Sequence, residues 1–268
     1  GANFAFVGEV MRYHTERDDL AHVDRRSLQH HGDNALAMVR AFGAADLRSP
    51  PAGDAVFFDV LSACLLWWPA RLSLGLAAAA LLLVCAATRR LARAGSLRAR
   101  DLAWGGLAWL VAPALALGLA FGVTQALAAV GALPLAWVAS SGALEAAIWM
   151  LAVAAVLVTS ALFCRRAGAV GAWAGSWLWW CVVGLLAAWK APGASYLFLV
   201  PSLGAGLAAL TFRSRGEPPQ IASLLPIVLA GVLWFPILSS LYNALGWSVL
   251  PAVAALVALV LGTAVPRL

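Results

Sequence analysis

Ala143-Leu144-Glu145-Ala146-Ala147-Ile148-Trp149-Met150-Leu151-Ala152-Val153-Ala154-Ala155-Val156-Leu157-Val158-Thr159-Ser160-Ala161-Leu162-Phe163-Cys164, closed by Arg165-Arg166, is the stretch on which the reading of the fold turns. Beyond Glu145 it carries no charge until the arginine pair. Its length matches the roughly 17 to 25 apolar residues a helix needs to cross about 30 Å of hydrocarbon.

Runs of the same kind recur on both sides. Residues 72–88, 102–128, 143–164, 173–189, 195–212, 221–241 and 247–265 read as seven transmembrane helices with short breaks between them. Lys190-Ala191-Pro192-Gly193-Ala194 makes a tight hairpin of the fourth and fifth. Composition agrees: 63% of the 268 residues are hydrophobic and 11% charged, and the mean hydropathy is +0.88. An ordinary soluble domain is about half apolar and a quarter charged, so a water-soluble fold is excluded.

The basic residues between and after these runs are unevenly placed. Arg89, Arg90, Arg93, Arg98, Arg100, Arg165, Arg166, Arg213, Arg215 and Arg267 fall in alternate breaks, and the other breaks hold only Lys190. Basic loops stay cytoplasmic, so this pattern predicts a cytoplasmic C-terminus and an extracytoplasmic, periplasmic or lumenal, start. The formal charge of +6 also divides by region: residues 1–70 hold six arginines against nine acids, a net of −3, and the rest carries +9. That charge orients a membrane protein, and no nucleic-acid partner is expected.

Inside the runs, polar residues are few. Thr124, Gln125, Glu145, Ser239, Ser240, Tyr242 and Asn243 lie mostly near predicted ends and read as interfacial or packing groups. The thirteen tryptophans, Trp177, Trp179 and Trp180 among them, read as interfacial belt and bulky packing. Cys64, Cys85, Cys164 and Cys181 show no metal-like spacing, and the last three read as small packing residues. No chain of buried charges points to a pump or an ion pathway.

Chemistry-bearing residues concentrate before residue 60, where most acids and all four histidines lie. The opening run Gly1 to Val7 is too short to span a bilayer and has no basic flank, and it reads as the continuation of a longer chain. Asp24 or Ser27 can cap a helix whose stripe carries Leu28, Ala35 and Phe42, with His31, Met38 and Val39 beside it and Gly43 at its end. Residues 44–53, with Ser49-Pro50-Pro51, form a linker. Residues 54–69 fit either an interfacial helix or a strand. A histidine on a turn after an apolar run, with a carboxylate four residues on, suits His14 and Asp18 to ligand and support, although spacing alone is a weak signal.

Three groups of residues together resemble a known family: Asn3-Phe4-Ala5-Phe6, then Tyr13-His14-Thr15 with Asp18 and Leu20, then Asp24, Ser27-Leu28-Gln29-His30 and Gly32-Asp33-Asn34-Ala35-Leu36. They are similar to the end of the catalytic domain in metallopeptidase family 28, the two-zinc aminopeptidases of aminopeptidase Y type. The layout is nearest to its multi-pass members of the vacuolar membrane protease and endoplasmic-reticulum metallopeptidase kind. Ala55-Val56-Phe57-Phe58-Asp59 resembles their link into the membrane.

The resemblance implies that His14 is the last ligand of a co-catalytic zinc pair, with Tyr13, Thr15 and Asp18 supporting its loop. The other ligands and the general base come from earlier in such domains. Two zinc ions would there activate water and polarise the scissile carbonyl, and residues 1–268 alone are not expected to hold them. His22, His30 and His31 are assigned to loop or helix surface.

The expected architecture is therefore an all-α polytopic membrane domain, residues 72–268, preceded by the C-terminal remnant of an α/β zinc-peptidase domain, residues 1–48, and a linker and interfacial segment, residues 49–71. The remnant is too small to bury its own core, so its helix is expected to be weakly ordered unless it docks. Expected partners are the lipid bilayer, the preceding peptidase domain and peptide substrates. The function implied is part of a membrane-bound zinc exopeptidase, inactive by itself. The alternative is a non-catalytic membrane scaffold or transport-like protein carrying a degenerate peptidase relic.

Overall fold

The computed structural model describes residues 12, 15–46, 48, 53–61, 63–133, 142–212 and 220–264. The first long element is α1, Arg25–Ala44. Of the two candidate caps, Asp24 takes the position: its carboxylate accepts from the Arg26 and Ser27 amides at 3.2 and 3.3 Å and from the Ser27 hydroxyl at 2.9 Å. Gly43 does not end the helix, which continues through it to Ala44. α1 buries none of its residues, and Leu28, Val39 and Phe42 remain exposed along its apolar stripe.

The undecided segment before the membrane domain is a β-hairpin. β1, Ala55–Val60, pairs antiparallel with β2, Cys64–Pro69, in the register Ala55↔Pro69 to Val60↔Cys64. β1 alternates, with Val56 and Phe58 buried and Phe57 exposed, as a half-covered strand must. Phe58 stacks on Tyr196 at 4.5 Å and meets Trp68 edge-on, while the Trp68 indole donates to the Ser73 hydroxyl at 2.8 Å. These contacts seat the hairpin on one end of the helical domain.

That domain holds α2 (Leu72–Arg93), α3 (Ala99–Ala129), α4 (Gly142–Thr159), α5 (Arg165–Lys190), α6 (Tyr196–Ala209), α7 (Gln220–Leu245) and α8 (Leu250–Leu261). Among the described residues four helices are long and apolar enough to cross a membrane: Leu72–Arg93, Ala99–Ala129, Gly142–Lys190 and Leu224–Leu245. Tyr196–Ala209 and Trp247–Leu261 are apolar but shorter. Two of the expected spans, 143–164 and 173–189, thus fall within one helical stretch with no loop between them.

The chain nevertheless turns inside that stretch. α4 passes through a π-helical turn, Ser160–Cys164, and at Gly168 the backbone leaves the helix at φ 65, ψ 167. Phe163 lies 5.8 Å from Trp104 near the start of α3, and the Arg166 guanidinium sits 4.9 Å over the same ring. Because α4 packs along α3 with its end at the beginning of α3, it runs antiparallel to it. α5 runs the other way: its Gly171 abuts Asp101 and Gly105, and its Trp179 abuts Gly106.

α3 and α5 approach each other backbone to backbone. A Cβ on Gly105 would lie 2.6 Å from the Gly171 carbonyl carbon and 2.8 Å from Ala172 Cα, and one on Gly171 would lie 2.7 Å from the Asp101 carbonyl oxygen. Gly175 meets the Gly106 amide in the same way. Helices in lipid gain little from apolar burial against one another, so backbone approach through small residues is a main source of attraction. Gly171-Ala172-Trp173-Ala174-Gly175 supplies the two small positions four apart.

Around that contact the core is aromatic. Trp173, Trp177, Trp180, Trp109 and Trp234 are buried inside the bundle instead of forming a belt, whereas Trp179 is partly exposed. Trp180 touches Trp109, Trp177, Phe198 and Trp234 with ring centroids 5.2 to 6.4 Å apart. One contact has a direct sequence cause. Pro201 in α6 lacks the N–H that would bond the Leu197 carbonyl, and the Trp234 indole donates to that oxygen at 3.1 Å. At the opposite end of α6, Arg90 Nη2 donates to Ala209 O at 2.7 Å and Phe212 O at 2.8 Å. A cation at a helix C-terminus also complements the dipole.

Candidate functional site

The turn entering the candidate peptidase segment is held by Thr15. Its hydroxyl donates to Arg12 O at 2.7 Å and accepts from the Arg17 amide at 3.2 Å, while the Asp18 amide donates to Thr15 O at 3.0 Å. Thr15 therefore fixes the backbone of the loop that follows His14. His14 and Tyr13 themselves lie outside the described residues.

Next along the chain, Asp19 organises a short 3-10 turn, Leu20–His22. One carboxylate oxygen accepts from the Ala21 and His22 amides at 3.0 and 3.2 Å and lies 2.7 Å from His22 Nδ1. The hydrogen bond from His22 is the largest influence holding the Asp19 carboxyl below its usual range. This pair was not singled out in the sequence, although Asp19-Leu20-Ala21-His22 has the spacing of an acid capping a turn that ends in a histidine. It makes His22 a turn-stabilising residue. His30 Nε2 lies 3.3 Å from Asn34 Nδ2 on the surface of α1, and His31 is half-buried.

A two-zinc centre needs carboxylates and imidazoles converging on each ion, three or four protein ligands apiece. Among the described residues no three such side chains converge, and the Asp19 oxygen is already filled by three donors. The described residues therefore do not fit a zinc pair by themselves, and no catalytic step is assigned to them. Two of the polar groups singled out in the membrane domain are spent locally: the Thr124 hydroxyl donates to Ala120 O at 2.9 Å and the Asn243 amide to Ser239 O at 2.9 Å, each within its own helix.

Known proteins add one dimension to this picture. Part of the chain is similar to a metallopeptidase. Over 76 residues it is 32% identical to endoplasmic reticulum metallopeptidase 1 of Homo sapiens. Those residues make up 27% of this chain and 8% of that protein, so the chain spans under a tenth of its relative's length. No protein-family description matches the chain, and no solved structure does.

Proposed function

We propose that this chain is part of a membrane-bound, zinc-dependent exopeptidase of aminopeptidase type, with hydrolysis of peptides on the extracytoplasmic side. The observation that carries the reading is the partial identity to a metallopeptidase of the endoplasmic reticulum. It is consistent with the resemblance carried by Tyr13-His14-Thr15 and Asp18, whose described part is a turn held by Thr15. In this reading His14 is one ligand of a two-zinc centre completed by residues of a preceding peptidase domain. Residues 1–268 alone hold no zinc pair and cleave nothing.

The proposal includes seven crossings. Reversal at Gly168 gives α4 and α5 one crossing each. α6 is short, but it spans the same layer as α2: Tyr196 stacks on Phe58 beside Trp68 and Ser73 at one end, and Ala209 and Phe212 are bonded by Arg90 at the other. The fourteen helical residues of α6 rise about 21 Å at 1.5 Å each, and the turn that follows carries the chain on to Phe212. The hairpin and Lys190 then lie on the extracytoplasmic side, and the arginines of the α2–α3 turn in the cytoplasm.

The test is His14→Ala in the full-length protein, with zinc content measured by metal analysis and hydrolysis by aminopeptidase assay. Losing a ligand of a co-catalytic metal abolishes both, Asp18→Asn weakens hydrolysis, and His30→Ala changes little. A His14→Ala enzyme with full zinc content and full activity removes the chemical basis of the reading. A wild-type protein that neither binds zinc nor cleaves peptides leaves the non-catalytic scaffold or transport-like protein instead.

A further inference from the structure

At the arginine-bearing end of the bundle, α2, α3 and α5 leave a half-open cleft of about 320 Å³. Its first wall is one face of α2, where Cys85, Arg89 and Ala92 follow at i, i+4 and i+7. The turn after α2 closes the end. Gly95 takes φ +76, the Ser96 amide bonds Leu91 O at 3.0 Å and the Gly95 amide bonds Ala92 O at 3.0 Å, the two hydrogen bonds of a Schellman stop. This turn brings Leu97 in as a buried floor and adds Arg98 to the same lining as Arg89. Leu102 and Leu178 complete an apolar interior.

Two charges at the mouth of an apolar slot at a bilayer surface are a specific combination. Arg89 is exposed and makes no hydrogen bond or ion pair among the described residues. Its neighbour Arg90 is occupied by two carbonyls of α6 and its turn. The acid closest in sequence, Asp101, is engaged by the Arg98 amide at 3.0 Å and by Arg100 at 3.4 Å, so it does not neutralise Arg89. The slot opens outward, since Cys85, Ala92 and Ala99 on its rim are exposed.

We propose that this cleft binds an anionic phospholipid, with the phosphate between Arg89 and Arg98 and the first acyl carbons against Leu102 and Leu178. The volume sits at the low end of small-molecule sites, about 300 to 1,000 Å³, and takes a phosphoglycerol headgroup with the start of one chain. Basic residues near a membrane surface each favour anionic lipid by about fivefold, so the pair gives about 25-fold. The inference needs only the membrane reading and stands whether or not the protein is a peptidase.

The test is native mass spectrometry of the full chain released from detergent, titrated with phosphatidylglycerol or phosphatidylcholine of matched chains. Phosphatidylglycerol is retained about 25-fold more tightly. Arg89→Gln with Arg98→Gln removes that preference, and Arg89→Gln alone, at an exposed helix position, loses about fivefold if the double variant fails to fold. Leu178→Trp fills the slot and weakens both lipids. Arg93→Gln, which does not line the cleft, changes nothing. Equal retention of the two lipids overturns the proposal, as does an Arg93→Gln loss equal to that of Arg89→Gln, which would mean diffuse charge attraction. Full competition by glycerol phosphate also overturns it, in favour of a soluble phosphate ligand.

Discussion

Replacing Gly105 by alanine puts one methyl group where α3 and α5 meet backbone to backbone. The new Cβ would stand 2.6 Å from the Gly171 carbonyl carbon and 2.8 Å from Ala172 Cα. Carbon atoms pack best at about 3.5 to 4.0 Å, so the two helices must part by about 1 Å. No rotamer relieves the clash, because both partners are backbone. Overpacking typically costs about 1 to 3 kcal/mol, and the upper end is expected here. Separation also loosens Gly171 against Asp101, Gly175 against Gly106, and the stack of Trp109 on Trp179. Gly118 and Gly122 provide the control, since they lie in the same helix and a Cβ there meets nothing within 4 Å. Alanine at either is neutral or stabilising by up to about 1 kcal/mol. The assay is reversible unfolding in mixed detergent, followed by tryptophan fluorescence. A Gly105→Ala protein as stable as Gly118→Ala would refute the claim that this backbone contact holds the bundle.

Trp234→Phe keeps an aromatic ring but strands the Leu197 carbonyl that Pro201 leaves open, and should destabilise by about 1 to 3 kcal/mol in the same assay. Arg90→Gln removes a charged donor from Ala209 and Phe212 and should cost about 1.5 to 3 kcal/mol; an unchanged midpoint would mean those carbonyls find water. Cysteines introduced at Arg93 and Lys190 should be labelled from opposite faces of sealed vesicles, and labelling of both from one face removes the seven-crossing arrangement. Asp19 has a lowered carboxyl pKa in the folded turn, so its stabilising effect is complete above the unfolded value of about 3.9 and is lost as pH falls through the folded one. The Ala21 and His22 amide resonances should report that loss below about pH 4, and resonances that stay fixed through pH 2 would dissociate the turn from the carboxylate.

The membrane class could be read from residues 72–265 without any tertiary information, because apolar length is set by the thickness of hydrocarbon and not by which helix lies beside which. Boundaries were less legible. The break expected between 164 and 173 contains no stretch of loop: Gly168 alone bends the backbone, and one residue of positive φ leaves almost no compositional trace. The hairpin at Ala55–Pro69 was ambiguous because its two apolar strands run together in sequence, and pairing is a property of both. In the candidate site, His14 lies outside the described residues, and the structure adds Thr15 as the residue that holds the turn between Arg12 and Asp18. The Asp19–His22 pair was missed because an acid three residues before a histidine is common on any surface.

By itself, then, the sequence determined that the chain carries membrane-type apolar helices and where its arginines cluster, since each depends on composition or on neighbours a few residues apart. The tertiary structure alone decided that Gly105, Gly171 and Gly175 are contact points while Gly118 and Gly122 are not, that Trp234 serves the carbonyl Pro201 leaves open, and that Arg89 and Arg98 face one cleft. In lipid every helix surface is apolar, so hydrophobic pattern does not mark the inward face. Which residues meet is settled by shape, by backbone groups left without partners, and by where a single glycine turns the chain.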